Sequence, residues 1–177
     1  MVNGYRKVEP ALERTAAMLA EARSVDEVVE ILRLTARRIA GSDGAAIVLR
    51  DGPSCFYAAE DAIEPLWRGS RFPLDDCVSG WAMLHGETVV IPDIAADPRV
   101  PRPAYANKAI RSLVMVPIGA PEPVAALGAY WCAMVLFDPT TLARLETLAR
   151  QAGEAFSRVR DGAPADASMT DRVAAVP

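Results

Sequence analysis

Apolar residues recur every three or four positions in three stretches of the chain, which is the spacing of an amphipathic helix. The stretches cover residues 10–23, 25–40 and 138–160. Ser24 precedes the second stretch and Glu27 follows three residues later, the spacing of a capping box that satisfies free amide groups at a helix start. We therefore predict three long helices, two at the beginning of the domain and one at its end.

The second helix carries more apolar residues than one buried face needs. Its main stripe runs along Val28, Leu32 and Ala36, and Ile31 and Leu34 widen it. A face of this width can cover a sheet and also meet another helix or a second subunit. The pattern therefore indicates a possible interface on this helix.

Between the helices the pattern changes to short runs rich in β-branched and aromatic residues, which are typical of strands. "AAIVLR" and "SCFYAAE" flank the turn "DGPS" and predict a β-hairpin. Three further strands are predicted by "TVVI", "RSLVMVPIG" and "VAALGAYW". Short connections favour antiparallel neighbours, so the predicted class is α+β, with the long helices sharing one face of the sheet.

An irregular segment separates the hairpin from the later strands. Its prolines and glycines predict a loop with at most a short helix around residues 63–67. "SGWAMLHG" then predicts a short helix that begins after Ser79 and stops at Gly86. Another short helix is expected around Tyr105, because the prolines near it exclude a long one.

The composition fits one globular domain. The 177 residues are 51% hydrophobic and 24% charged, which argues against wholesale disorder and suffices for one core. We divide the chain into an N-terminal extension (1–9), a domain (10–160) and a tail (161–177). The tail is small, polar and without periodicity, and we expect it to be flexible.

The charge and the apolar runs exclude several partners. A net charge of −4 and a pI near 5.1 provide no broad basic surface for nucleic acid. No apolar run is long enough to span a membrane, and no signal-peptide core follows the N-terminus. We therefore expect neither nucleic acid nor membrane as a partner, and the cytoplasm as the location.

The three cysteines are widely scattered and the chain has one histidine. Cys55, Cys77 and Cys132 form no CxxC pair, so a disulfide framework or a zinc site is not expected. No phosphate loop, GxSxG or HExxH motif is present either. The sequence therefore predicts no metal site, and it does not identify a cofactor.

Several residues of the irregular segment carry chemistry that fits either a ligand site or ordinary packing. Trp81 and His85 are four apart and can share a helix face, where they could contact a small molecule or fill core. Cys77 lies near a helix start that can lower its pKa, whereas the two aspartates before it act in the opposite direction. Asp93 could cap a turn or project its carboxylate into a cavity.

The run "CVSGWAMLHGETVVIPDIAADPRVP", followed by "IRSLVMVPIG" and "VAALGAYW", resembles the GAF domain, a small-molecule sensory module. The resemblance covers residues 10–160. It implies a central antiparallel sheet of about six strands, with the N- and C-terminal helices on one face. Short helices and loops are expected to roof a pocket on the other face. The amino-acid sequence of this run is most similar to the N-terminal GAF domains of bacterial sensor histidine kinases.

The resemblance implies a non-catalytic domain that binds a small-molecule ligand in signal transduction, as a homodimer through its N- and C-terminal helices. It would act on a signalling partner, or as a kinase input domain if the sequence is a fragment, because no phosphoacceptor histidine or ATP-binding motif follows residue 160. The residues it places nearest the ligand are Tyr57, Trp67, Phe72, Cys77, Trp81, His85, Asp93, Tyr105, Met115 and Tyr130.

Two alternatives remain open. The free-methionine (R)-sulfoxide reductase branch of the family needs a pocket thiolate and a resolving cysteine. Ser79 stands where that cysteine is expected, and Cys77 lies two residues earlier, with Cys55 and Cys132 on predicted strands as resolving candidates. The other alternative is a ligand-free interaction scaffold, in which side chains fill the pocket.

Overall fold

The computed structural model describes residues 9–162, which form five α-helices, one 3₁₀ turn and six strands. The predicted N-terminal extension up to residue 8 and the tail from residue 163 onward lie outside the described residues. The helices are α1 (Pro10–Glu21), α2 (Val25–Ala40), α3 (Val78–His85), α4 (Arg102–Tyr105) and α5 (Pro139–Asp161). The strands are β1 (Gly44–Asp51), β2 (Ser54–Ala62), β3 (Arg71–Pro73), β4 (Val89–Ile91), β5 (Ser112–Ile118) and β6 (Ala125–Trp131). The 3₁₀ turn, Leu74–Asp76, directly precedes α3.

The six strands form one antiparallel sheet in the order β3-β2-β1-β6-β5-β4. The β1–β2 hairpin confirms the pairing predicted from "DGPS", and β6 pairs with β1 on its other side, with Gly44 opposite Tyr130. The short strands β3 and β4 form the two edges. This arrangement confirms the predicted α+β fold.

The long helices α1, α2 and α5 cover one face of the sheet. Their apolar stripes meet alternate residues of the strands in one core, in which Leu32 and Phe156 are fully buried. Ile31 packs partly against this core, whereas Leu34 is half exposed. The homodimer expected on this side of the domain stays a prediction.

Local capping signals lie at both ends of α2 and at the start of α5, where the sequence predicts them. The Ser24 side chain accepts a hydrogen bond from the Glu27 amide at 3.2 Å, and Gly41 ends α2 with a φ of 64°. Asp138 caps α5 by accepting from the Thr141 amide at 2.8 Å. These bonds satisfy amides that a helix end leaves free.

Residues 63–67 form the predicted loop and contain no short helix, because the carboxylate of Glu60 accepts the backbone amides that a helix there would use. The rest of the irregular segment differs from its prediction in two ways. The sequence pattern misses β3, whose pairing with β2 depends on a chain reversal and ends at Pro73. The N-cap of α3 is Cys77 rather than Ser79.

Candidate functional site

A second hydrophobic core lies on the opposite face of the sheet, under α3, α4 and the loops beside them. It contains apolar strand residues such as Leu113 and Met115, together with Met83 of α3. We call α3, α4 and the loop of residues 64–68 the roof of this core, and the loop itself the Trp67 loop. The roof stands where the resemblance places a ligand pocket.

Aromatic rings fill the centre of this core. Trp67 contacts Tyr57, Tyr105 and Tyr130, with ring centroids 5.5, 4.8 and 5.6 Å apart. Phe72 adds an edge-to-face contact to Tyr57 at 5.5 Å. Such tilted and edge-to-face pairs are favourable arrangements of aromatic rings. Trp67 therefore links the roof to the sheet, beside the direct packing of α3 residues such as Met83 on the strands.

Tyr130 points from β6 into this core and has a buried hydroxyl group without a hydrogen-bond partner. Burial raises the pKa of this phenol well above its ordinary value, so it stays a neutral hydroxyl. The Tyr57 hydroxyl lies near enough to contribute a weak hydrogen-bond interaction that raises this pKa further, but the two oxygens do not meet at the distance and angle of a well-formed hydrogen bond. The ring leans over Gly128, where an added Cβ would lie 2.5 Å from the hydroxyl oxygen.

Hydrogen bonds hold the Trp67 loop in place. The two carboxylate oxygens of Glu60 accept the backbone amides of Leu66, Trp67 and Arg68 at 2.9–3.0 Å. Lys108 donates its ammonium group to two carbonyls of the same loop at 2.7 and 2.8 Å. Charge-assisted hydrogen bonds of this kind are stronger than neutral ones. The loop that carries Trp67 is thus held by hydrogen bonds to both Glu60 and Lys108.

Two free thiols meet beside the aromatic cluster. The Sγ atoms of Cys55 on β2 and Cys77 at the start of α3 are 3.2 Å apart, and both residues are buried. Cys77 Sγ also accepts from the Gly80 amide at 3.4 Å and from the Ser79 hydroxyl at 3.3 Å. The Ser79 oxygen lies 3.2 Å from the Tyr57 hydroxyl. A continuous polar chain therefore leads from the thiols to the aromatic cluster.

The contacts shift the pKa values of the two thiols in opposite directions. The hydrogen bond with Cys55, followed by those from Ser79 and Gly80, lowers the pKa of Cys77 to about 7 against the effect of burial. The hydrogen bond with Cys77, together with burial, raises the pKa of Cys55. The protonated Cys77 thiol donates to the Cys55 sulfur or to the Pro73 carbonyl, 3.4 Å away, and Cys55 donates to the Cys77 sulfur once Cys77 has lost its proton. Cys77 is the more nucleophilic of the two.

Gly80 permits the backbone approach that positions Cys77. A Cβ atom at this position would lie 1.8 Å from the carbonyl oxygen of Leu74, in the 3₁₀ turn before α3. Any larger residue would force the turn and the helix apart. The glycine of the quoted motif thus has a packing role next to the thiol pair.

Two predicted site residues, His85 and Asp93, lie away from the buried aromatic cluster, and Trp81 lies at the margin of the second core. The Trp81 side chain is half buried and packs against this core, and it stacks on the exposed His85 with ring centroids 4.0 Å apart, as their spacing predicts. The guanidinium of Arg99 lies 5.0 Å from the Trp81 ring centroid. Asp93 caps a turn by accepting the amide of Ala95 at 3.0 Å. These groups order the outer surface of the roof.

The other predicted site residues come together in the second core: Tyr57, Trp67, Phe72, Cys77, Tyr105, Met115 and Tyr130. Sequence reasoning did not place Cys55 and Ser79 in this site. Cys55 is two residues from Tyr57 on one strand, so the alternation of β2 puts both side chains on the same face. That alternation is the signal by which Cys55 could have been found.

Two further properties concern the described part of the chain. None of its helices combines the length and the apolar character needed to cross a bilayer. Within residues 9–162, no three or more His, Cys, Asp or Glu side chains gather in a group that could hold a metal ion.

The comparison with family models decides the family. Residues 22–157 match the model of the GAF domain. The chain belongs to the GAF domain family. GAF domains are typically sensory domains that bind ligands. No curated protein matches this GAF domain.

Solved structures of similar fold come from proteins of different activities. One is a free methionine-R-sulfoxide reductase from Neisseria meningitidis in complex with its substrate (TM-score 0.74, 22% identity, 86% of this chain and 90% of that chain). Another is the GAF domain of an Acinetobacter phosphoenolpyruvate-protein phosphotransferase (0.76, 17%, 88% and 96%). A third is the chromophore-binding domain of a bacteriophytochrome from R. palustris (0.72, 14%, 86% and 62%). At these identities the similarity establishes the shared fold alone.

Proposed function

We propose that this GAF domain is a non-catalytic sensory module that binds a small, uncharged ligand between the sheet and the roof. The observation that carries the proposal is the Tyr130 hydroxyl, which is buried and without a partner. Leaving such a group unsatisfied costs about 1–3 kcal/mol. A ligand atom that hydrogen-bonds to Tyr130 removes this cost.

The buried groups define the chemistry of the ligand. Among the described residues the buried polar side chains, tyrosines apart, are Thr15, Ser79 and Ser112, and none is charged. A charged ligand would lose its hydration, and no buried carboxylate or basic side chain among the described residues offers it an opposite charge, which is strongly unfavourable. The aromatic rings offer flat apolar surface instead. The site therefore suits a neutral molecule with an apolar body and one or two polar atoms.

Entry of the ligand requires movement of the roof. The rings around Trp67 are already in contact, so a molecule of several atoms must displace at least one of them. The Trp67 loop is the segment to move, because its hydrogen bonds to Glu60 and Lys108 are partly exposed and can exchange with water. The same close packing favours the ligand-free scaffold, which the experiment below distinguishes.

Strand β6 provides the route from the ligand to the helices. Tyr130 faces the second core, whereas its neighbours Ala129 and Trp131 belong to the core under α1, α2 and α5. A displacement of Tyr130 therefore reaches the helical face. We propose that a homodimer formed through α1 and α5 carries the signal to a cytoplasmic partner, or to a histidine kinase of which this domain is the input.

Native mass spectrometry of protein purified from its own host tests the proposal, because it reports bound ligand and subunit number together. We expect a dimer with a small-molecule adduct, and we expect Tyr130→Phe to lose the adduct without losing thermal stability. A wild-type protein free of any adduct supports the scaffold instead. An adduct that Tyr130→Phe retains in full contradicts the role given to this hydroxyl.

The thiol pair favours a second candidate, reduction of free methionine sulfoxide. In that reaction the Cys77 sulfur would take the sulfoxide oxygen as a sulfenic acid, and Cys55 would then form a disulfide and release water. Incubation with free methionine sulfoxide and a thiol reductant tests it, with Cys77→Ser as the inactive control. Absence of methionine formation by the wild-type protein ends this candidate.

A further inference from the structure

We propose that Cys55 and Cys77 are a reversible oxidation site, at which a peroxide converts the two thiols to an intramolecular disulfide. The proposal concerns the thiol pair itself and is independent of the ligand proposed for the aromatic cluster. It rests on three features: the contact between the sulfur atoms, the unequal environments of the two thiols, and the position of one of them at a helix start.

The sulfur atoms are already close to bonding distance. Their separation of 3.2 Å has to shorten by about 1.1 Å to reach the 2.05 Å of a disulfide bond. Cys55 lies on the paired strand β2, and Cys77 lies at the junction of the 3₁₀ turn and α3. A small movement of this junction toward the sheet completes the approach. Cys132 is absent from this cluster and serves as the internal control.

The surroundings select Cys77 as the attacking thiol. Its sulfur receives hydrogen bonds from the Gly80 amide, at the N-terminus of α3, and from Ser79. Both donors stabilise a thiolate. Cys55 has no comparable donors beyond Ser79 and stays protonated in contact with Cys77. One sulfur is thus prepared to react, and the other is held where it can resolve the product.

The reaction proceeds in two balanced steps. The Cys77 thiolate attacks one peroxide oxygen, so that an S–O bond forms, the O–O bond breaks, and the sulfur is oxidised by two electrons to a sulfenic acid while hydroxide leaves. The Cys55 sulfur then attacks the Cys77 sulfur: an S–S bond forms, the S–O bond breaks, and the departing hydroxide takes the Cys55 proton to give water. Two equivalents of a thiol reductant reverse the change.

Peptide mapping of the full-length protein tests the site. The protein is treated with hydrogen peroxide, denatured, alkylated and digested with trypsin. We expect the peptides of residues 51–68 and 72–99, which contain the two cysteines, to become linked, while Cys132 remains alkylated. Dithiothreitol should restore all three free thiols. Three free thiols after peroxide, or a disulfide that includes Cys132, would overturn the proposal.

Serine substitutions assign the two roles. Cys77→Ser keeps an N-cap oxygen and Cys55→Ser keeps a hydrogen-bond donor, so both variants should fold. In Cys55→Ser, peroxide should leave Cys77 as a sulfenic acid that reacts with dimedone. In Cys77→Ser, Cys55 should remain a free thiol. Equal dimedone labelling of the two variants contradicts the assignment of Cys77 as the attacking group, and the wild-type peptide map decides the site even if a variant fails to fold.

The proposed thiol oxidation and the proposed ligand binding can be refuted independently of each other. A protein that carries no ligand can still form the disulfide, and a protein that binds a ligand can still resist peroxide. Native mass spectrometry before and after peroxide reads both properties in the same sample, since the disulfide lowers the protein mass by two hydrogen atoms and leaves the ligand adduct as a separate shift.

Discussion

Replacing Gly80 with alanine should destabilise the domain, although alanine is the better helix former. Gly80 lies in the first turn of α3, where helix propensity alone favours alanine by about 1 kcal/mol. The added Cβ, however, would lie 1.8 Å from the carbonyl oxygen of Leu74 and 2.5 Å from its carbonyl carbon. Both atoms are backbone and cannot rotate away, so the 3₁₀ turn must move by more than an ångström relative to α3.

The magnitude follows from the balance of these two effects. Overpacking a well-ordered core costs about 1–3 kcal/mol, and a clash with backbone belongs at the upper end. After subtraction of the propensity gain we expect a net loss of about 2 kcal/mol in the free energy of unfolding. For a domain of this size that loss lowers the Tm by about 4–8 °C.

Thermal unfolding followed by circular dichroism measures the effect, and Gly162→Ala is the matched control. Gly162 ends α5 with a right-handed φ of −83°, and its nearest neighbour would be 3.6 Å from an added Cβ. Alanine there should be neutral or raise stability by less than about 1 kcal/mol, because it restricts the unfolded chain. A Gly80→Ala protein as stable as wild type would refute the close approach on which the position of Cys77 depends.

Three further predictions concern hydroxyl groups, a helix cap and a thiol. Tyr130→Phe should raise the free energy of unfolding of the ligand-free protein by about 1 kcal/mol, whereas Tyr57→Phe should lower it by a similar amount. The reason is that, of these two hydroxyl groups, only that of Tyr57 has a well-formed hydrogen bond. Equal effects of the two substitutions in urea unfolding would contradict this. Ser24→Ala should cost about 1 kcal/mol by removing the cap of α2, and an unchanged urea midpoint argues against that cap. Because the hydrogen bond with Cys55 lowers the pKa of Cys77 to about 7, its alkylation rate in the folded protein should rise through neutral pH, and a midpoint near the ordinary thiol value of about 8.5 contradicts the shift.

The helical layer could be predicted because its signals are local. The spacing of apolar residues and the caps at Ser24 and Asp138 lie within a few residues of the helix ends that they determine. The segment 63–67 could be predicted only as a loop with at most a short helix, for the opposite reason. Its amides bind the carboxylate of Glu60 on β2, a contact that no periodicity reports. Strand β3 was missed because it forms only when the chain folds back on β2.

For the candidate site, too, local signals could be predicted from the sequence, whereas contacts between distant segments could not. Residue type and the resemblance selected aromatic residues that the fold brings together under the roof, such as Tyr57 and Tyr130, and their contact with a ligand stays a prediction. The spacing of Trp81 and His85 correctly predicted that they share a face, but the rotation of α3 against the sheet decides that Trp81 lies at the margin of the second core and His85 outside it. The contact between the two buried thiols joins a strand to a helix start and is visible only in three dimensions.

The close contact between Tyr130 and Gly128 implies that these two positions share one fixed volume. The tyrosine ring occupies the space that a side chain two residues earlier on the same face of β6 would fill, with ring carbons 2.8 and 2.9 Å from the Cβ position. Among relatives with this sheet, a residue larger than glycine at position 128 should therefore accompany a smaller one at 130. Exchanging both together, as in Gly128→Ala with Tyr130→Val, which removes the ring, should be less harmful than enlarging position 128 alone.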